Sequence, residues 1–140
     1  FIMIYEDTSI KVYNNTVFRL VSERYSLLNH SELALFEGKV IIEADDNLGY
    51  SFVLNTPSTK ATVSGTNFLA EYQQDLLFNG VDYSIFTVLE GIIELENLNS
   101  NLSMYLLNGE TVVSTDSGRF LRLDTFREPQ GIVNSLLEFR

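Results

Sequence analysis

The chain contains no cysteine and no tryptophan, a single histidine and only two prolines. Without cysteine there are no disulfides, no thiolate metal sites and no thiol nucleophile, and the redox compartment stays open. Without tryptophan, a stacking platform for sugars would have to draw on the tyrosines and phenylalanines that the core needs. Positive charge is scarce as well: nine Lys and Arg stand against 19 Asp and Glu, for a net charge of −10, and only the thinly spaced Arg119, Arg122 and Arg127 approach a group. Phosphate binding depends on clustered cations that release counterions, so this balance disfavours nucleic acid and anionic membrane surfaces as partners. No run reaches the roughly 20 apolar residues that cross a bilayer, and no export signal is visible. The sequence starts FIMIY without an initiator Met, so we read it as a processed product or a piece of something longer.

What is present is a pool of strand formers. Hydrophobic residues make up 45% of the 140 and aromatics 12%, enough for one sizeable core and a single domain over 1–140. Alternation with period two outweighs any helical stripe. Strands are expected at Ser9–Tyr13, Val17–Val21, Leu33–Leu35, Val40–Ala44, Ser51–Leu54, Lys60–Ser64, Phe68–Tyr72, Ser84–Leu89, Ile92–Glu96, Ser103–Leu107, Thr111–Ser114 and Phe120–Leu123. Between them lie Asn, Asp, Gly and Pro clusters that favour turns. The fold class is therefore all-β. After Gly118 the tail 119–140 holds one more strand and at most a short helix from Asn134 onward.

A weak repeat runs through the strands. LFEGKVII, VLEGIIEL and LLNGETVV each place a glycine (Gly38, Gly91, Gly109) between an apolar phrase and a returning β run, and Gly65 in VSGTNF is a candidate fourth. A residue with positive φ, or with another backbone close by, disfavours a Cβ atom, so each glycine reads as a corner. Recurring corners predict a solenoid-like or jelly-roll stack, with a generic sandwich as the alternative.

Side chains able to do chemistry are few. His30 lacks a nucleophile elbow such as G-x-S-x-G and reads as a turn residue. Glu37, Glu43, Glu90, Glu94 and Glu96 alternate within strands and read as a solvated face, with Glu90 beside a corner and within reach of a backbone N–H there. Asp45, Asp46 and Asn47 resemble half of a calcium loop but lack its distal Glu, so a tight turn is the stronger reading and calcium a weak one. Three Asn-x-Ser/Thr triplets begin at Asn14, Asn29 and Asn101, all in expected turns. The N-terminal Phe1, Ile2, Met3, Ile4 and Tyr5 form either a strand of the domain's own sheet, the default, or one lent to a neighbouring copy.

The blocks TVFRLVSERYSLLNHSELALFEGKVIIEA, FVLNTPSTKATVSGTNF, VLEGIIEL and YLLNGETVV, taken in order from Thr16 to Gly118, resemble the FecR domain of bacteria. The matching positions include Gly38, Thr56, Pro57, Gly65, Thr66, Phe68, Glu90, Gly91 and Gly109. The resemblance implies a laterally wound β structure outside the cytoplasm, in the periplasm, at the cell surface or secreted, that contacts proteins and carries no catalytic centre, cofactor or metal. It implies a core over 16–118, with 1–15 as N-terminal strands. The helical segment that would hold a sigma factor and the membrane helix of the family's founding regulators are not in this stretch, which fits better with its envelope relatives of other roles. The expected function is a non-catalytic interaction or scaffold module, acting through sheet edges and the polar loops Asn79–Asp82 and Asn97–Asn101. The alternative is a self-assembling subunit of a surface filament or envelope assembly that exchanges terminal strands with other copies.

Overall fold

The computed structural model describes residues 2–5, 8–21, 30–44, 51–63, 65–74 and 81–123. Twelve strands and no helix are found among them: β1 (Ile2–Tyr5), β2 (Thr8–Val12), β3 (Val17–Val21), β4 (His30–Ala44), β5 (Ser51–Asn55), β6 (Thr59–Val63), β7 (Asn67–Gln73), β8 (Tyr83–Glu90), β9 (Ile93–Asn97), β10 (Ser103–Leu106), β11 (Thr111–Thr115) and β12 (Phe120–Leu123). The fold is all-β. Expected calcium candidates Asp45, Asp46 and Asn47, the tail beyond Leu123, Asn29 and Phe1 lie outside the described residues.

Two sheets share one long strand. The first runs β1-β2-β4-β7-β8-β11-β12 and uses the C-terminal half of β4. The second runs β3-β4-β5-β6-β9-β10 and uses its N-terminal half. All pairs are antiparallel except β4 with β5. Sequence reading breaks β4 into Leu33–Leu35 and Val40–Ala44 because glycine weakens a strand. The structure corrects this: Gly38 pairs with Tyr72, so the ladder passes through it and one 15-residue strand serves both sheets. His30 starts this strand and is not a turn residue. Ile2–Tyr5 pair with β2 of the same chain.

The sheets face each other across an apolar layer. Ile10, Val12, Val40, Ile42, Phe68, Phe86, Val88 and Val112 come from the first sheet, and Leu33, Leu35, Phe52, Leu54, Val63, Ile93, Leu95 and Leu106 from the second. Phe68 and Phe86 are fully buried, and truncating either removes about 3–5 kcal/mol. In β8 and β11 burial extends to the far face as well. Tyr83, Ile85, Val113 and Leu123 form a second apolar cluster there, with Leu121 packed against it.

The chain crosses between sheets along one edge, at Asn15 (φ 60°), Gly38 (φ 97°), Gly65 (φ 61°), Gly91 (φ 109°) and Gly109 (φ 82°). Asn15 takes the glycine role without being glycine, which Asn tolerates better than most residues. The corners also lock onto each other. A Cβ at Gly38 would lie 2.5 Å from Thr16 Cα, and one at Gly91 3.1 Å from Thr66 Cα. Into that space each threonine sends its hydroxyl. Thr16 Oγ1 donates to Lys39 O (3.2 Å) and accepts from Lys39 N (3.1 Å). Thr66 Oγ1 donates to Ile92 O (2.9 Å).

Candidate interaction site at the polar end

Opposite the corners, the sandwich closes with polar groups. Three turns gather there: 56–58 between β5 and β6, 98–102 between β9 and β10, and 116–119 between β11 and β12. The approach to β8 joins them. Leu98 N donates to Ser58 O (2.7 Å) and Asp116 N to Asp82 O (2.9 Å). Asn99 Nδ2 donates to Asp116 O (2.7 Å). Gly118 sits so close to Ser100 that a Cβ would stand 3.0 Å from the serine Cβ.

Beneath the turns lies a ladder of hydroxyls. Thr56, Ser58, Thr59, Ser84 and Ser114 are all buried. Ser84 Oγ bonds Thr56 Oγ1 (2.7 Å) and Ser58 Oγ (2.9 Å), and Thr59 Oγ1 donates to Ser114 Oγ (2.7 Å). These contacts join the second sheet to the first. Thr56 Oγ1 also accepts from Ser58 N (3.3 Å) and Thr59 N (3.0 Å), which fixes the turn around the exposed Pro57. Unpaired, each such buried hydroxyl would cost about 1–3 kcal/mol.

Asn97, fully buried, ties the ladder to two turns. Its Nδ2 donates to Ser114 Oγ and Thr115 O, both at 2.9 Å, while its Oδ1 accepts from Asn99 N (2.9 Å) and Ser100 N (3.2 Å). Beside it, Tyr72 OH donates to Asp116 Oδ2 (2.9 Å). Burial above all, then the Asp116 hydrogen bond and charge and those of Asp82, push the phenol well above its ordinary range. Asp116 Oδ1 is buried and finds no hydrogen-bond partner.

The serine and threonine hydroxyls of the ladder bond other hydroxyls, an amide or backbone, whereas the Tyr72 hydroxyl bonds the Asp116 carboxylate. Among the described residues no three His, Asp or Glu side chains gather as a metal site, and no helix is long and apolar enough to cross a membrane. What the ladder does is hold three turns rigidly outward, with Pro57, Leu98, Asn99, Asn101, Ser117 and Arg119 exposed at their tips.

The residues singled out from sequence fall into separate places. Gly38, Gly65, Thr66, Gly91 and Gly109 line the corner edge, and Phe68 is in the core. Glu90 is exposed beside its corner, where its Oε2 accepts from the Asn67 side chain (3.4 Å) instead of a backbone N–H. Thr56 and Pro57 belong to the polar end. Of the two loops expected to make contacts, the described part of 79–82 and the whole of 97–101 meet there through Asp116. The 116–119 turn and the hydroxyl ladder escaped sequence reading. Their one signal is the density of Ser and Thr at strand ends, in Thr-Pro-Ser-Thr and Ser-Thr-Asp-Ser. At the first corner, Lys39 Nζ stands 4.2 Å and Lys11 Nζ 5.2 Å from the Tyr13 ring centre, beside a shallow depression lined by Asn14, Asn15, Glu37 and Gly38.

No protein family and no curated protein matches this chain. Its fold is similar to that of a candidate anti-sigma factor from Parabacteroides distasonis ATCC 8503, in crystal structures at 1.65 and 2.50 Å resolution. Each superposes with a TM-score of 0.71 at 20% identity over 94% of this chain. The match spans 57% and 56% of those chains, so this chain accounts for little more than half of their length.

Proposed function

We propose that this chain is a non-catalytic protein-interaction module of the FecR type that works outside the cytoplasm. Its polar end presents turns to a protein partner while the corner edge holds the two sheets together. The observation that carries the reading is the polar end itself. Seven buried side chains, from Thr56 to Thr115, spend their hydrogen bonds on fixing three exposed turns, an arrangement suited to presenting a surface. The shared fold with a candidate anti-sigma factor supports the same direction, since regulators of that kind act by binding proteins.

None of these 140 residues is cysteine, so a thiol introduced on an exposed turn can be followed in the peptide that carries it. Asn99→Cys, expressed in the native host as part of the full gene product, is expected to react with a membrane-impermeant maleimide in cells whose outer barrier alone is opened. Labelling only after complete lysis would overturn the location. A photo-crosslinker at Asn99 or Ser117 is expected to give a discrete protein adduct, and one at Lys11 none. Equal, diffuse adducts at all three positions would overturn the site.

A further inference from the structure

We propose that the free edge of β10 is a docking strand for an extended, basic polypeptide segment, which adds to the second sheet as a further strand. This goes beyond the reading above and shares with it only that the ligand is a protein.

β10 is the last strand of its sheet among the described residues. Its hydrogen-bond phase is fixed where it leaves β9. Asn97 N donates to Leu102 O (2.8 Å), so Leu102, Met104 and Leu106 turn their backbone groups toward β9. By alternation Ser103 and Tyr105 turn theirs outward. Among the described residues the group that meets them is Arg122, whose Nη2 donates to Tyr105 O at a long 3.4 Å. Arg122 comes from β12, the end strand of the other sheet, and is held by Glu110 (2.5 Å). It acts as a guard on a strand edge that no other described strand covers, a common way of keeping such edges from pairing at random.

The surroundings specify the occupant. On the outer face Tyr105 stands across from Glu94 and Ser103 across from Glu96. Leu102 (56% exposed) and Tyr105 (63%) are the most exposed large apolar side chains described. A strand added beyond β10 lies about 10 Å from β9. Because Ser103 is small, a Lys or Arg opposite it reaches over to the Glu96 carboxylate. A second basic residue opposite Tyr105 lays its stem on the ring and its charge toward Glu94. An acidic segment meets like charge in the same place, and a second β10 edge, SMYL, brings no basic side chain to answer Glu94 and Glu96. Docking displaces Arg122 from Tyr105 O, so the guard and the ligand compete for one carbonyl.

The test uses the whole chain and a nine-residue peptide alternating Lys and Val, with a second peptide of the same sequence N-methylated at every other residue. The methylated peptide keeps charge and side chains but loses one hydrogen-bonding edge. Amide exchange by NMR is expected to show Ser103 and Tyr105 gaining protection with the first peptide and not with the second. Ser103→Pro removes only an outward N–H, which an edge strand tolerates. It is expected to weaken binding about fivefold, the equivalent of one hydrogen bond, with its melting curve checking that the fold persists. Arg122→Ala is expected to tighten binding. Equal binding of both peptides would reduce the effect to bulk charge attraction and overturn the proposal, as would binding that protects no β10 amide or no binding at all. The adducts at Asn99 and Ser117 are independent of this outcome, so either idea can fail alone.

Discussion

The two ends of the sandwich solve one problem, joining a pair of sheets, by opposite means. At the corner edge the join is made by backbone and by what is missing: Gly38 and Gly91 lack the Cβ that Thr16 and Thr66 would strike, and positive φ turns the chain. At the polar end the join is made by side chains, through Thr56, Ser58, Thr59, Asn97 and Ser114. At Gly38 and Gly91 one edge therefore leaves no room for an added atom, while the other depends on side-chain atoms that cannot be removed without leaving partners unpaired.

Substitutions at each end test that contrast. Gly38→Ala combines a Cβ 2.5 Å from a neighbouring Cα with φ 97°, and is expected to cost more than about 4 kcal/mol or prevent folding, as read by circular dichroism and urea melts. Asn97→Leu keeps volume but strips partners from Thr115 O, Asn99 N and Ser100 N, with an expected loss of about 2–4 kcal/mol in the same assay. Gly109→Ala sharpens the comparison, because nothing lies within 4 Å of its added Cβ. Only the cost of positive φ remains, about 1–2 kcal/mol. If Gly38→Ala proved no worse than Gly109→Ala, the interlock would carry no weight.

The smallest effects concern pH. Burial and neighbouring carboxylates raise the Tyr72 pKa above its unfolded 10.0, so the folded state holds that proton more tightly. The stability this contributes is complete below about pH 10 and is lost above it. Tyr72→Phe is expected to flatten the alkaline limb of a melting-temperature profile. Glu71, on the first sheet, is raised by burial, against the opposing pull of Gln73 and Lys39. Its cost to the folded state is full at neutral pH and is relieved as pH falls. Glu71→Gln is expected to raise the melting temperature at pH 7 and to leave it nearly unchanged in acid.

The contrast also explains what could be read in advance. Alternating Val, Ile and Phe mark the strands, and glycines followed by returning β runs mark the corners, because both signals are local. Asn15 hides its corner since Asn is common in any turn, and Gly38 reads as a break because its pairing with Tyr72 is 34 positions away. The polar end is non-local. Ser58 meets Ser84 across 26 residues and Thr59 meets Ser114 across 55, so a run such as Thr-Pro-Ser-Thr looks like a solvent turn until the sheets close over it. The open edge of β10 is likewise invisible until the order of strands is known.

The threonine joint recurs across the stack, linking positions 23 apart at Thr16 and Lys39 and 26 apart at Thr66 and Ile92. A gain of one or two amino acids between the partners of such a joint would carry the threonine out of step with the backbone it clasps.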